Sequence, residues 1–345
     1  MPQPTLSDVH VNRPLTNVSL AFLQNAANFV ASRVFPVISV SKKSDLYYTY
    51  DRGYFNRDGM RKRAPATESA GGGYGISTDN YSCDVWSLHK DIDDQIRANS
   101  DQPINLDAEA AEWLSGQALI SKEKAWVTDY FTAGAPGDTW TFDVDGVSAG
   151  ATAAASFDPT NAALNDVLQW NDAASNPIED VALGIEYVLQ STGFKPNKLV
   201  VGYPVWRTLK NHPDIVDRIK YSGGVGPMRP AVVSIEAVAA LFEVDEILVM
   251  ESIENVADEG ATNDHDFIGG KHALLCYAAP SPGLMTPSAG YTFSWTGLLG
   301  ASALASRVKR FRMEHLSSDR VEIDMAFDMK RVSEDLGYFF GSIVA

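Results

Sequence analysis

The stretch Asn105–Phe131, NLDAEAAEWLSGQALISKEKAWVTDYF, decides how the rest of the chain is read. It predicts one long amphipathic helix. Pro103 lies just outside it, and Asn105 or Asp107 can accept from the orphan amides of the first turn. Asp107, Glu109 and Glu112 put negative charge at the positive end of the helix dipole, and Lys122 and Lys124 fall toward the other end. Leu106, Ala110, Trp113, Gln117, Ile120, Val127 and Phe131 keep a helical spacing and predict one buried stripe. At 1.5 Å per residue the run spans roughly 40 Å, and its single glycine, Gly116, costs about 1 kcal/mol against alanine. A rod of that length needs an equally long partner. The strand-like C-terminal region is the expected one, and the pair forms a rigid spine.

The totals bound the rest. With 345 residues the chain can bury a sizeable core in more than one lobe, and 45% hydrophobic with 21% charged residues is the composition of an ordered, soluble protein. Cys83 and Cys276 stand far apart, which argues against a disulfide framework or a four-cysteine zinc site and for a reducing compartment. No secretory leader or membrane-spanning apolar run is visible. A net charge of −16 argues against a general nucleic-acid binder. The charge is uneven: Arg33 to Arg63 holds eight basic and three acidic residues, Asp91 to Phe131 nine acidic and three basic, and Glu243 to Asp266 nine acidic and no Lys or Arg.

Residues 1–16, with Pro2, Pro4 and Pro14, read as an extended arm, and Val18 to Val34 as a helix stopped by Phe35-Pro36. Val37 to Tyr50 and Tyr81 to Lys90 read as strands flanking a polar excursion, Asp51 to Asn80, with too few aliphatics for a core of its own. This predicts a projecting hairpin that is mobile or rests on another subunit. Thr132 to Asn161 reads as a surface insertion. Asn176-Pro177 opens a helix that Gly193 ends. Short buried strands at Lys198–Gly202, Glu246–Met250, Ala273–Ala278 and Tyr291–Trp295 alternate with helices, predicting an α/β lobe. Arg307–Leu316 and Arg320–Met329 read as a terminal hairpin turning at Ser317-Ser318-Asp319, with Val321, Ile323, Met325 and Phe327 inward and Glu322, Asp324, Ala326 and Asp328 largely wet.

The residues offer little chemistry. The six histidines are dispersed, and Cys83 with His89 reads as two ordinary half-buried residues. Gly223-Gly224-Val225-Gly226 follows a helix and lacks the lysine of a phosphate loop, so it reads as a helix stop. Asp143-Val144-Asp145-Gly146 resembles the start of a calcium loop but lacks its later ligands, which favours a polar turn. The acidic run Asp258 to Asp266 reads as a solvated loop, with a cation site on a symmetry axis as the alternative. Neither a catalytic residue nor a cofactor or metal site is expected. The candidates are contact residues: Arg57, Arg61, Lys62 and Arg63 on the hairpin of one copy against Asp107, Glu109 and Glu112 on the spine helix of the next. The basic run also reads as a plain solvated loop.

Several segments in order carry a family likeness. Phe35-Pro36-Val37-Ile38-Ser39-Val40, Trp170 to Asp180 (WNDAASNPIED), Asn197 to Trp206 (NKLVVGYPVW), Asn211 to Tyr221 (NHPDIVDRIKY), Leu241 to Met250 (LFEVDEILVM), and Asp328–Val332 with Gly337-Tyr338 together resemble the major capsid proteins of tailed bacteriophages, a fold shared with encapsulin-type shells. The resemblance implies an α+β fold: an N-terminal arm (1–44), an extended loop hairpin (45–92), a peripheral domain with the long spine helix (93–131), an α/β axial domain (166–295) and C-terminal peripheral strands (296–345), with 132–165 as a surface insertion.

It further implies a structural protein that self-assembles as pentamers and hexamers into an icosahedral phage head around double-stranded DNA, without specific DNA binding. Scaffolding and portal proteins are the implied partners, with a decoration protein as a further one and no membrane. Location would be the virion capsid, assembled in the bacterial cytoplasm. An encapsulin-like compartment shell and, further off, a soluble α/β enzyme are the alternatives.

Overall fold

The computed structural model describes residues 23–100, 105–148, 157–222, 233–283, 285–300 and 306–345. The expected arm at 1–16 and the glycine run 223–226 lie outside them. The spine helix runs Leu106–Tyr130; the Asn105 side chain accepts from the Ala108 amide at 3.2 Å, and Phe131 ends it. Its buried line is Leu106, Ala110, Leu114, Ala118, Lys122, Glu123 and Trp126, so only part of the expected stripe points inward; Trp113 is 38% exposed. Several stripes of this helix are comparably apolar, and the sheet beneath selects the one that steps by four, where small alanines allow close approach.

That sheet is built on a central strand. The strands are β1 (Val37–Val40), β2 (Ser44–Tyr50), β3 (Ile76–Ser82), β4 (Asp84–Asp93), β5 (Phe142–Val147), β6 (Asp166–Leu168), β7 (Lys198–Gly202), β8 (Glu246–Met250), β9 (Ile253–Asn255), β10 (His265–Phe267), β11 (Ala273–Cys276), β12 (Gly290–Trp295), β13 (Ser306–Met313), β14 (Ser318–Arg331) and β15 (Gly337–Gly341). β4 and β13 pair antiparallel with the same residues of β14 and so take its two edges; β12 pairs at Phe327–Arg331, and β1 adds parallel to β12. The second sheet has the order β6-β5-β15-β11-β7-β8. One continuous core joins them, with Val321 and Ile323 from the first sheet and Leu199, Leu275 and Phe339 from the second.

Two strands exchange places relative to the sequence reading. β12, expected in the α/β lobe, belongs to the β14 sheet, whereas β15 at the chain's end is a fully buried inner strand of the other. Gly-Tyr-Phe-Phe-Gly is apolar on both faces, which suits a strand covered on both sides. The surface character expected for 132–161 fails where β5 runs parallel to β15: Trp140, Phe142, Asp143 and Val144 are buried. Asp143–Gly146 is therefore strand, neither calcium loop nor turn.

Three local expectations also change. Residues 23–34 form a short 3₁₀ turn (Ala26–Asn28), an extended step at Phe29 and a single helical turn, Ala31–Val34, in place of a continuous helix. The cause lies on the spine: the buried Glu123 carboxylate accepts from the Val30 amide at 2.9 Å and the Ala31 amide at 2.9 Å, which starts a new helix there. The hairpin before β14 turns at Glu314–Ser317, where Ser317 adopts φ 49°, and Ser318 is already strand. Finally, Asp324 and Ala326 are buried, and Asp324 is matched there: it accepts from Ser87 at 2.9 Å and pairs with Lys309 at 2.7 Å and Arg307 at 3.2 Å.

Phe35 fills the joint between the short helical turn, the spine and β12, in edge contact with Trp126 at 5.9 Å. A methyl group on Gly290 would stand 2.4 Å from its ring. Gly290→Ala is expected to cost about 1–3 kcal/mol through overpacking. Phe35→Leu in the same chain should recover part of that loss, as read from denaturant midpoints of the single and double variants.

Candidate inter-subunit contact surface

β2 and β3 form the two-stranded hairpin, register Ser44↔Ser82 to Tyr50↔Ile76. Its base is tied to the body: Tyr81 stacks on Phe293 at 4.6 Å, and the Tyr47 ring lies 5.5 Å from the same ring. Arg52 pairs with Asp335 at 2.6 Å. Beyond that anchor the chain is exposed from Asp51 to Asn80. Tyr50, Phe55 and Tyr74 cluster at ring distances of 5.3 to 6.1 Å, a small aromatic knot that stays wet, and Met60 is 89% exposed. Arg57, Arg61, Lys62 and Arg63 all stand in solvent with no carboxylate partner among the described residues; Arg63 only donates to the Thr67 carbonyl. A cationic, partly apolar limb is thus held at its root and bare at its tip.

The acidic counterpart divides. Asp107 is bound within its own protomer: Arg97 grips it bidentately at 2.8 and 2.9 Å, Arg310 adds a contact at 3.2 Å, and the Arg97 hydrogen bonds hold its carboxyl below the usual range. The network continues through Asp319, paired with Arg310 at 2.8 Å and Arg97 at 3.1 Å, and through Arg312 to Asp94 at 2.6 Å. It locks the helix start to the β13–β14 turn. Glu109 and Glu112 are exposed and enter no ion pair among the described residues, so they alone keep charge to offer a neighbour. The local spacing that brings Arg97 and Arg310 to Asp107 crosses three elements and leaves no sequence signal.

Other sequence candidates stay apart. The Cys83 thiol is buried, donates to the Phe293 carbonyl at 3.5 Å and is pushed up to about 11 by burial, while His89 lies 4.0 Å from Asp91. Asp258 to Asp266 runs along the exposed connection between β9 and β10 and into β10 itself, and among the described residues no three His, Cys, Asp or Glu side chains converge as a metal-binding set. One arrangement had no sequence signal: Ser175 Oγ lies 3.3 Å from buried His212 Nε2, and Asp214 is near the other ring nitrogen. The Asp214 amide donates to His212 Nδ1 at 3.3 Å, and Ser175 donates to the Asp172 carbonyl at 2.7 Å. His212 is therefore an Nε2–H donor to a serine whose own proton is already placed, the reverse of nucleophile activation.

Comparisons with known proteins bear on the chain as a whole. No family model matches the chain. It is 24% identical over 340 residues to the major capsid protein of Pseudomonas phage JBD67, covering 97% of each, and 26% identical over 185 residues to that of Burkholderia phage BcepMu, covering 52% of this chain and 54% of that one. Among solved structures it resembles a phage-related protein from Bordetella bronchiseptica RB50 (TM-score 0.63, 19% identity, 92% and 93% of the two chains). It also resembles the capsid protein of cyanophage P-SCSP1u (TM-score 0.59, 11%, 97% and 93%) and that of the mature bacteriophage PhiM1 capsid (TM-score 0.58, 15%, 97% and 92%). These similarities indicate a structural shell protein rather than an enzyme. It is similar to phage major capsid proteins and has the α+β fold of phage capsid proteins.

Asp107→Asn is expected to lower protomer stability by about 1 kcal/mol, since it leaves Arg97 and Arg310 short of a carboxylate, whereas Glu109→Gln and Glu112→Gln should stay within about 0.5 kcal/mol in chemical denaturation. Burial, with Asp145 nearby, pushes the Asp143 carboxyl up to about 8, so the folded chain holds that proton more tightly than the unfolded one. Its stabilising contribution is full below about pH 4 and lost by about pH 8. Melting temperatures should therefore fall more steeply from pH 5 to pH 8 in the natural protein than in Asp143→Asn.

Proposed function

We propose that the protein assembles as pentameric and hexameric rings that close into an icosahedral phage head around double-stranded DNA. The observation that carries this reading is the hairpin: its root is packed on the body, and its basic and aromatic tip has no counterpart among the described residues of its own protomer. Head-to-tail contacts of this kind close into rings when the rotation permits. Each is weak, with exposed pairs worth roughly 0–1 kcal/mol, but many limbs make the whole multivalent. In this reading residues 1–44 are the arm, 45–92 the extended loop, and the spine helix with β12, β13 and β14 the peripheral domain, while the β11–β7–β8 side forms the axial domain. Arg57, Arg61, Lys62 and Arg63 meet Glu109 and Glu112 of a neighbour, and Asp107 sets the helix that carries them. Scaffolding, portal and decoration proteins are the further partners, and assembly takes place in the bacterial cytoplasm. The net charge of −16 suits a wall that does not trap packaged DNA.

Negative-stain microscopy of the expressed protein, with and without a candidate scaffold, tests this. Closed particles are expected; a species near 37.5 kDa under every condition would count against it. Reversing Arg61, Lys62 and Arg63 to Glu should abolish particles, and adding Glu109→Lys with Glu112→Lys should restore some. Particle yield unchanged by the first set would remove these residues from the interface.

A further inference from the structure

The β2–β3 hairpin has two faces, and the residues of each strand alternate between them. Tyr47 and Tyr81 lie on one face and pack against Phe293 of the body. Leu46, Tyr48 and Tyr50 lie on the other, where Tyr50 stands opposite Ile76. Leu46 is 62% exposed, Tyr48 64% and Ile76 55%. A lone apolar residue in water needs no explanation, but a run of them along one strand face marks a contact surface. Tyr50 carries the run on into Phe55 and Tyr74, and beyond these stand Arg57, Arg61, Lys62 and Arg63 without a carboxylate partner among the described residues. The spine helix offers the matching pair of features with the charge reversed. Trp113 follows Glu112 directly and Glu109 by one helical turn, and all three side chains are exposed. Its own protomer gives the Trp113 ring the Lys90 ammonium, 5.9 Å from the ring centre.

We propose that the outer face of the hairpin is a docking surface for a second copy of this chain, which seats its Trp113 against Leu46, Tyr48 and Ile76. The proposal rests on the shell reading and deepens it, because it names the contact that supplies the affinity. Charge complementarity selects the occupant: an apolar band bordered by four cations meets an aromatic ring bordered by two carboxylates. The two kinds of contact divide the work. Charges at a rim steer the encounter and fix register. Tryptophan and tyrosine set inside such a rim are the residues that carry most binding energy, since they lose water over a large area and few rotamers.

The test is a double-mutant cycle on assembly, reading the protein concentration at which half of the chain sediments as particles. Tyr48→Ser and Trp113→Ala alter exposed side chains, so circular dichroism and melting temperature should match the natural protein; Leu46→Ser and Trp113→Gln replace either one that fails to fold. Each single change should raise the half-assembly concentration about ten-fold or more with its salt dependence unaltered. The double variant should add little to the larger single effect, because both changes remove one contact. Single effects within about two-fold of the natural protein, or effects that multiply in the double variant, overturn the proposal and leave the shell reading intact. Losses seen only when a scaffold drives assembly assign the face to that second protein and overturn it as well. A natural chain that forms no particles under any condition overturns both.

Discussion

The structure depends on the seam between the spine helix and β14. A helix of 25 residues lies on a strand of 14, and that strand holds β4, β12 and β13 by its edges. Leu114 and Trp126 above, and Ile323, Met325 and Phe327 below, keep the seam dry. At about 25 cal/mol per Å² such burial outweighs any surface pair in the molecule. The projecting hairpin leads directly into β4, which pairs along β14.

Two buried charges complicate the seam. Lys122 has its ammonium 5.6 Å from the Phe327 ring and is driven down to about 8 by burial, and Glu123 is driven up to about 7 by the same cause. Glu123 is matched by amides of Val30 and Ala31, so its carboxylate fastens the incoming chain to the middle of the rod. Gln24 does the same on a smaller scale: its amide exchanges hydrogen bonds with both backbone groups of Ile253, at 2.6 and 2.9 Å. The polar groups under the spine act as clips for segments remote in sequence, and specificity rather than net stability is what such buried groups are suited to supply.

The ion-pair network around Asp107 divides the surface in a similar way. Its members hold the helix start to the β13–β14 turn, while Glu109 and Glu112 on one side and Arg57, Arg61, Lys62 and Arg63 on the other enter no ion pair among the described residues.

Local rules determined much by themselves. The spine helix, its Asn105 cap, the helix from Pro177 to Gly193, the alternating inward residues of β14 and the bare hairpin are all legible because each follows from nearest-neighbour spacing, capping or a shortage of aliphatics. The family likeness was likewise carried by segment order. Only the tertiary structure decided which stripe of the spine turns inward, that β12 and β15 trade sheets, that Asp143 is sealed in a strand, and that Asp107 is consumed at home. In each of these the deciding partner lies tens to hundreds of residues away, and no local pattern records whether a carboxylate will meet water, an amide or a guanidinium.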